Sequence, residues 1–193
     1  MGIEYELKFK ADCQIQQAVL TRWPGKVTEY EMETTYYDTP SGALSDRRIT
    51  LRRHLENGTS VCTVKTPVSG PGRGEWEVNC DGITEAVPKL ISSGAPASAL
   101  APASEGLIPI CGARFHRTAV LLTLPDCTLE LALDRGVLLG GLDEEPLCEI
   151  EVELKEGSPA DADRFAGDLA EDFGLEREHS SKFRRALALY RGE

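Results

Sequence analysis

The sequence lacks the features of a membrane-spanning, secreted or nucleic-acid-binding protein. It has no apolar run of about 18 residues and no signal-peptide pattern at its start, so neither a transmembrane helix nor secretion is predicted. A net charge of −11 lacks the basic excess that nonspecific nucleic-acid binding requires. An anionic small molecule remains open as a partner, because clustered local charge outweighs the global sum at short range.

The cysteines lack any Cys-x-x-Cys spacing. They are scattered along the chain at Cys13, Cys62, Cys80, Cys111, Cys127 and Cys148. Scattered thiols without a metal-binding or redox spacing favour free cysteines in a reducing compartment over disulfides. We therefore expect a cytoplasmic protein whose cysteines fill its core.

Internal repeats and interdomain linkers are absent too, and 193 residues suit one well-cored domain spanning residues 1–193. The glycine-rich stretch 70–74 lacks the Lys-Ser/Thr ending and the following helix of a phosphate-binding loop, so it is interpreted as a plain loop.

Hydrophobic periodicity predicts an α+β fold of about eight antiparallel strands and three or four helices. Asn57-Gly58 between two alternating runs predicts a hairpin, and Asp12 predicts a helix N-cap. The expected helices follow Asp12, cover 85–92 and occupy much of 158–191, whereas 93–104 is expected to be irregular. The expected strands are 2–10, 29–38, 49–55, 60–66, 75–79, 114–124, 128–139 and 147–155.

Two of these strands carry repeated carboxylates on one face. Side chains alternate along a strand, so Glu4, Glu6 and Lys8 share a face near the N-terminus. The run 147–154 places Glu149, Glu151 and Glu153 on one face in the same way. Like charges spaced two apart repel unless cations lie between them, so the pattern indicates carboxylates around a metal.

The other strands also place charges of both signs on one face. These charges are Arg52, Lys65, Glu75, Glu77, Arg117, Glu130 and Asp134. A sheet with one solvated face explains any single strand, but seven such strands favour a barrel whose lumen holds both signs. A polyphosphate with divalent cations would compensate both, because Arg and Lys bind phosphate and carboxylates bind hard metals.

The ordered motifs resemble the CYTH superfamily, the triphosphate tunnel metalloenzymes. The resemblance begins with Glu4-x-Glu6-x-Lys8 and ends with Ser181-Lys182, and so covers nearly the whole chain. The intervening motifs are Tyr36-Tyr37-Asp38-Thr39, Leu51-Arg52, Thr63-Val64-Lys65, Glu75-Trp76-Glu77, Phe115-His116-Arg117, Glu130-Leu131-Ala132-Leu133-Asp134 and Cys148-Glu149-Ile150-Glu151-Val152-Glu153-Leu154. One departure is His54, which stands where the family commonly has a second arginine. Its charge is expected to be lost near neutral pH, and Arg53 has the parity of the outer face.

The resemblance implies an eight-stranded antiparallel β-barrel, with helices packed outside, that binds a triphosphate and two divalent ions, Mg²⁺ or Mn²⁺. It implies a catalytic set of Glu4, Glu6, Lys8, Arg52, Lys65 and Arg117. The implied substrate-binding residues are Lys8, Arg52, Lys65, Arg117, Lys182 and Glu75, although Glu75 and Glu77 could instead line a tunnel mouth. The implied metal ligands are Glu4, Glu6, Glu149 and Glu151, with Glu130, Asp134 and Glu153 in or next to that shell.

The resemblance is strongest to the bacterial inorganic triphosphatases, which implies hydrolysis of the terminal phosphate of a linear triphosphate, inorganic tripolyphosphate first. The alternatives are a class IV adenylate cyclase, a thiamine triphosphatase, and a noncatalytic polyphosphate- or nucleotide-binding module. We expect a monomer or homodimer with no membrane or nucleic-acid partner. His116 and His179 have no partner pattern and are expected at the surface.

Overall fold

One antiparallel sheet organises the chain, and the N-terminal segment contributes to two distant parts of it. The computed structural model describes residues 2–70 and 72–193. The strands are β1 (Gly2–Glu4), β2 (Glu6–Lys10), β3 (Val27–Asp38), β4 (Thr50–Glu56), β5 (Thr59–Pro67), β6 (Arg73–Asn79), β7 (Ile108–Thr123), β8 (Thr128–Gly140), β9 (Asp143–Glu156) and β10 (Glu176–Arg177). Their order in the sheet is β1-β6-β5-β4-β3-β7-β8-β9-β2-β10.

The α+β class and the antiparallel sheet are confirmed, but the closed eight-stranded barrel is wrong in strand number and in closure. β1 pairs with β6 at one end of the order and β2 pairs with β9 near the other, and within the described residues no ladder joins the two ends. Only Tyr5 separates β1 from β2, so counting them as one interrupted strand gives nine. The segment changes partner at Tyr5, whose carbonyl accepts from the Leu154 amide at 2.9 Å. The curved sheet is therefore bridged by the covalent chain.

The hairpins follow from local turn chemistry and alternation. β4 and β5 are joined by Asn57 and Gly58, which both have positive φ, as the predicted two-residue turn requires. The long strands β7, β8 and β9 pair antiparallel in sequence order. Their register places Arg117 opposite Asp134, and Asp134 opposite Glu149.

Five α-helices cover the sheet: α1 (Cys13–Arg22), α2 (Ile83–Ser92), α3 (Ala97–Leu100), α4 (Pro159–Phe173) and α5 (Lys182–Arg191). Asp12 caps α1 as predicted, accepting from the Gln14 and Ile15 amides. The expectation of irregular structure at 93–104 is wrong, because α3 and a 3₁₀ turn at Ala101–Glu105 bury Leu100 and Pro102. No helix among the described residues is long and apolar enough to cross a membrane.

The apolar core is divided into three clusters that fix where the helices lie. One cluster joins α1 and α4 to β2, β7, β8 and β9, and a second joins α2 and α3 to β4, β5 and β6. The third contains Tyr36, Phe115 and Leu138 together with Phe183 of α5. These three strand residues share the face of Arg52, Arg117 and Asp134, so α5 packs on the concave face. The expectation that helices lie outside fails for α5.

Candidate active site in the concave face

The concave face encloses a cavity of ≈ 1030 Å³ that is lined by charged side chains. Eleven of the residues predicted for the site line it: Glu4, Glu6, Lys8, Arg52, Lys65, Glu75, Arg117, Glu130, Glu151, Glu153 and Lys182. Asp134 and Glu149 share their parity but lie beneath the lining, at 0% and 1% exposure. The alternation that places each charge inward is the one read from the sequence.

The N-terminal carboxylates are paired with lysines of the same cavity. Lys8 Nζ lies 2.8 Å from Glu6 Oε1, and Lys65 Nζ contacts both Glu4 and, at 3.2 Å, Glu75. Burial, followed by the negative charges of Glu6 and Glu75, raises the pKa of Glu4 to about 7 despite Lys65. The positive charge around Glu4 is thus too small to hold the pKa of its carboxyl at the ordinary value.

A row of three glutamates crosses adjacent strands nearby. Glu6 on β2 pairs in register with Glu153 on β9, and Glu153 pairs with Glu130 on β8. Lys155 is the cation beside them, with its Nζ 2.8 Å from Glu153 and 3.5 Å from Glu130. Burial raises the pKa of Glu153 in spite of Lys155. Directly opposed like charges are destabilising, so this row calls for a further cation.

A second acidic group lies deeper and already holds protein cations. Ligand atoms of Asp134, Glu149 and Glu151 lie within 4.8 Å of one another. Lys182 Nζ sits among them, 2.7 Å from Asp134 and 2.8 Å from Glu151, and it also contacts Glu149. Arg117 binds Asp134 with two nitrogens at 2.7 Å each and Glu151 at 2.6 Å.

These buried charges are mutually stabilised. Burial opposes the charge on Lys182 and Arg117, but the surrounding carboxylates outweigh it and raise both pKa values well above their ordinary range. Burial likewise opposes the charge on Glu151, yet Lys182 and Arg117 hold its pKa well below the ordinary range. Lys182, Arg117 and Glu151 therefore stay ionised around neutral pH, whereas burial raises the pKa of Glu149. Breaking one of these ion pairs would leave a buried charge without a partner, at a cost of about 3–5 kcal/mol.

The donor sets differ in their fit to a divalent cation. Glu4, Glu6, Glu130 and Glu153 present carboxylate oxygens to the cavity, the hard ligands that Mg²⁺ and Mn²⁺ prefer. The raised pKa values of Glu4 and Glu153 show that the negative charge of these two is incompletely compensated. In the deeper group, the ammonium of Lys182 occupies the point where the carboxylates converge. The first set has the donor chemistry of a metal site, whereas the second brings its oxygens within 4.8 Å of one another but has the ammonium of Lys182 between them.

Arg52 is a guanidinium with spare hydrogen-bonding capacity in the cavity. Its closest carboxylate oxygen in the ion pairs is that of Glu75, at 3.7 Å from NH2. Its Nε is buried and has no hydrogen-bond acceptor among the described residues. Buried polar groups are nearly always paired, so this donor is suited to an anionic ligand entering the cavity.

Sequence reasoning missed several residues that contribute to the cavity. Arg73 lies in the stretch interpreted as a plain loop, yet it lines the cavity and donates to the carbonyls of Arg48 and Lys65 at 2.7 and 3.1 Å. Arg185, which the sequence analysis did not single out, binds the deep Glu149 at 3.0 Å. His179 is exposed as expected but also borders the cavity. Arg73 precedes Glu75 by two residues and so has the same parity. This spacing is the sequence signal that could have placed Arg73 on the inward face.

The cavity has a basic end and an acidic end. The basic end is formed at the starts of β4 and β6 and by α5, which packs on Gly140 at the end of β8. Its cations are Arg48, Arg73, Arg184 and Arg191. The acidic end lies at the opposite strand ends and is formed by Glu56, Glu77, Glu130 and Glu153. An anion and a cation are thus drawn to different ends of one cavity.

Comparison with known proteins assigns the family. The CYTH domain profile matches residues 2–187. The chain belongs to the CYTH family. The resemblance drawn from the ordered motifs is thereby confirmed.

The relatives extend the CYTH assignment. The chain is 31% identical to an inorganic triphosphatase of Haemophilus influenzae over 199 aligned residues, which cover 96% of this chain and 54% of that protein. This chain thus spans about half the length of that curated relative.

Solved structures share the CYTH fold. A putative adenylyl cyclase from Hippeastrum, reported to have a dominant triphosphatase activity, superposes with a TM-score of 0.68 at 18% identity, covering 100% of this chain and 96% of that one. A putative adenylate cyclase from Bacillus halodurans gives 0.61 at 16% identity, covering 95% and 96%. Likeness at these identities supports the fold alone.

Proposed function

We propose that this chain is a metal-dependent triphosphatase that removes the terminal phosphate of a linear triphosphate, with inorganic tripolyphosphate as its substrate. The whole chain would act as one domain in the cytoplasm, and all six cysteines are free thiols, as a reducing compartment favours. The activity named for the Haemophilus relative supports the reaction, and the charges of the cavity support the substrate.

The observation that carries the proposal is the set of cations on the concave face. Lys8, Arg52, Lys65, Arg117 and Lys182 all border the cavity, and each comes from a different element of the fold. Within residues 2–70 and 72–193, the buried Nε of Arg52 finds no acceptor. Guanidinium and ammonium groups fixed around one space stabilise the negative charge that spreads over the equatorial oxygens during phosphoryl transfer.

The carboxylates divide into two proposed roles. Glu4, Glu6, Glu130 and Glu153 would hold the Mg²⁺ or Mn²⁺ ions, two in number by family resemblance. When bound, such ions neutralise phosphate charge and activate water. Asp134, Glu149 and Glu151 would instead hold Lys182 and Arg117 in their positions, through the contacts at 2.6–2.8 Å.

Glu75 has a positioning role in this proposal. Its carboxylate lies 3.2 Å from Lys65 and 3.7 Å from Arg52, so it orients two of the proposed phosphate-binding cations toward the same space. Positioned charges need no reorganisation during the reaction, which is how they favour the transition state over the substrate.

A second candidate is an adenylate cyclase, and one observation favours it. Tyr36 and Phe183 lie with ring centroids 5.0 Å apart, and both border the cavity together with Phe115. This aromatic cluster, which sequence reasoning did not find, is a surface on which a nucleotide base could stack. Cyclisation would further require the ribose hydroxyl to be held against the α-phosphate.

One assay panel tests these candidates. Phosphate release is measured from tripolyphosphate, thiamine triphosphate and ATP with Mg²⁺ or Mn²⁺, and cyclic AMP is measured alongside. We expect release chiefly from tripolyphosphate, with a loss of at least about 100-fold in Glu4→Gln because a metal ligand is removed. Glu33→Gln, an exposed glutamate of β3, is the matched control and should keep full activity.

Any other outcome of the assay panel would indicate a different function for the chain. Cyclic AMP as the main product would establish the cyclase, and preference for thiamine triphosphate would change the substrate. Metal-loaded protein that binds all three compounds and leaves them intact would be a noncatalytic binding module. Full activity in Glu4→Gln would overturn the metal role proposed for Glu4.

A further inference from the structure

His54 occupies a lumen position in the middle of the charged cavity. It is 4% exposed, borders the cavity, and lies between Arg52 and Glu56 on the inward face of β4. Its register partner on β3 is Thr34, whose Oγ1 lies 2.7 Å from His54 Nδ1. This contact fixes the ring, and no hydrogen bond of Nε2 is found among the described residues. Nε2 is therefore the ring nitrogen available to a ligand.

Charged groups face His54 from several elements. The cations are Arg52 on its own strand, Lys65 on β5, Arg117 on β7 and Lys182 on α5. The carboxylates that border the same cavity toward the acidic end are Glu56, Glu77, Glu130 and Glu153. From β3 the facing groups are the neutral Thr34 and Tyr36.

The cations dominate this surrounding. Glu77 accepts a hydrogen bond from Thr63 at 3.0 Å, and burial followed by the charge of Glu77 raises the pKa of Glu56. Burial, and then the four cations, lower the pKa of His54 well below its ordinary range. The imidazole is neutral while the cavity contains only the charges of the protein.

A linear triphosphate reverses this balance, because it brings several negative charges into contact with the same cations. We infer that His54 is a conditional cation, which takes a proton from the solvent when a polyphosphate enters the cavity and donates it in a hydrogen bond from Nε2. The inference rests on the proposed function and adds a specificity-determining residue to it. A fixed arginine would repel its cationic neighbours in the free protein, whereas His54 is charged only with an anion present.

The consequence is an affinity that depends on pH. Binding that takes up a proton weakens as pH rises, by up to tenfold in the dissociation constant per pH unit for one proton. The same linkage favours highly charged ligands, because only a strongly anionic ligand supports the imidazolium. Orthophosphate should protonate His54 far less than tripolyphosphate does.

Nuclear magnetic resonance tests the inference directly, since the chain has only three histidines: His54, His116 and His179. Imidazole nitrogen spectra are recorded at about pH 7.5 with and without saturating tripolyphosphate, in the presence of a metal chelator so that the ligand persists. His54→Gln assigns the signals. We expect His54 to change from the neutral to the imidazolium pattern, while His116 on the outer face keeps its state.

Two results would overturn the inference in distinguishable ways. Saturable binding with a neutral His54 would refute the conditional cation and leave the proposed function intact. No binding of tripolyphosphate at all would refute both.

A second variant, His54→Arg, gives a measurement that does not depend on whether His54→Gln folds. In His54→Arg the dissociation constant should lose the wild-type pH dependence, and an unchanged slope in this variant would also contradict the role of His54.

Discussion

At the scale of single residues, the site depends on charges that the protein itself compensates incompletely. Glu4 lies close to the negative charges of Glu6 and Glu75, and the buried Nε of Arg52 has no acceptor in the part of the chain that the structure describes. Perturbed and unpaired groups of this kind are concentrated at functional sites, where stability is sacrificed for binding. Their removal should therefore affect stability and activity in opposite directions.

Glu4→Gln should stabilise the fold at alkaline pH. The pKa of Glu4 is about 7 in the folded state against an ordinary value of 4.5, so the folded protein binds its proton more tightly than the unfolded chain. The stability contributed by this group is present below pH 4.5 and is lost as pH rises through 7. Removing the charge should add about 3 kcal/mol at pH 8 and no more than about 1 kcal/mol at pH 5.

Thermal melts in the presence of a chelator measure this difference. A Glu4→Gln variant less stable than the wild type at alkaline pH would show that Lys65 compensates the carboxylate fully. Glu33→Gln, which is exposed, again serves as the control and should melt as the wild type does at both pH values.

Arg73→Gln should raise KM for tripolyphosphate by roughly tenfold, which corresponds to the loss of one charged hydrogen bond. Arg73 is fixed by Thr50 and by two backbone carbonyls, none of which neutralises its charge. Because its contribution is to binding, kcat should change little. Steady-state kinetics distinguish the cases, and a fall in kcat at constant KM would assign Arg73 to the chemical step instead.

At the scale of elements, α5 is the part that completes the site. It covers the concave face and delivers Lys182 and Arg185 to the deep carboxylates, so these buried acids depend on a helix that follows them in sequence. Its start is fixed by Ser181, which accepts from the Arg184 amide. Its far end rests on the backbone of β8 at Gly140, where an added Cβ would lie 2.4 Å from Leu189 Cβ and from the Tyr190 nitrogen.

Gly140→Ala should therefore displace α5 and lower activity. Overpacking against a helix backbone costs about 1–3 kcal/mol, and the shift of Lys182 should reduce kcat/KM by roughly tenfold. Gly167→Ala in α4 is the matched control, since nothing lies within 4 Å of the added Cβ and the helix should gain up to about 1 kcal/mol. Equal melting temperatures and activities for Gly140→Ala and the wild type would show that α5 does not require this close approach.

At the scale of the whole molecule, a chain with a net charge of −11 encloses a cavity whose one end is basic. Local attraction must therefore overcome general repulsion of an anionic substrate, and both effects are screened by salt. We expect KM for tripolyphosphate to rise several-fold between about 50 and 300 mM salt.

Matched arginine variants separate the local effect from the general one. Arg184→Gln at the basic end should reduce this salt dependence. Arg114→Gln, whose partner Glu144 lies 3.0 Å away on the exposed surface, should not. If KM for tripolyphosphate depended on salt equally in both variants, the basic end would have no role in substrate capture.

The sequence predicts the inward face of each strand well, because alternation is a local property that the register preserves. It predicts Arg52 inward and Arg53 outward, and Arg53 indeed bonds Ser60 away from the cavity. It does not predict how deep a charge lies. Asp134 and Glu149 have the parity of Glu151, but their burial is set by α5, which packs across them from elsewhere in the sequence.

The break between β1 and β2 at Tyr5 and the position of α5 could not be predicted either. The N-terminal segment changes its pairing partner at Tyr5, from β6 to β9, and this change depends on the whole sheet. No local pattern in residues 2–10 predicts it. The amphipathic spacing of α5 is the same whether the helix covers an outer or an inner face. Both features follow from tertiary packing, and neither alternation nor helical spacing gives information about it.

The central claim is that a charged concave face hydrolyses a linear triphosphate with the help of metal ions. A phosphorus-31 NMR time course of tripolyphosphate with Mg²⁺ and the wild-type protein tests it most directly, since it identifies both products. We expect orthophosphate and pyrophosphate in equal amounts, and no reaction when the metal is chelated. Intact tripolyphosphate after prolonged incubation with metal-loaded protein would contradict it.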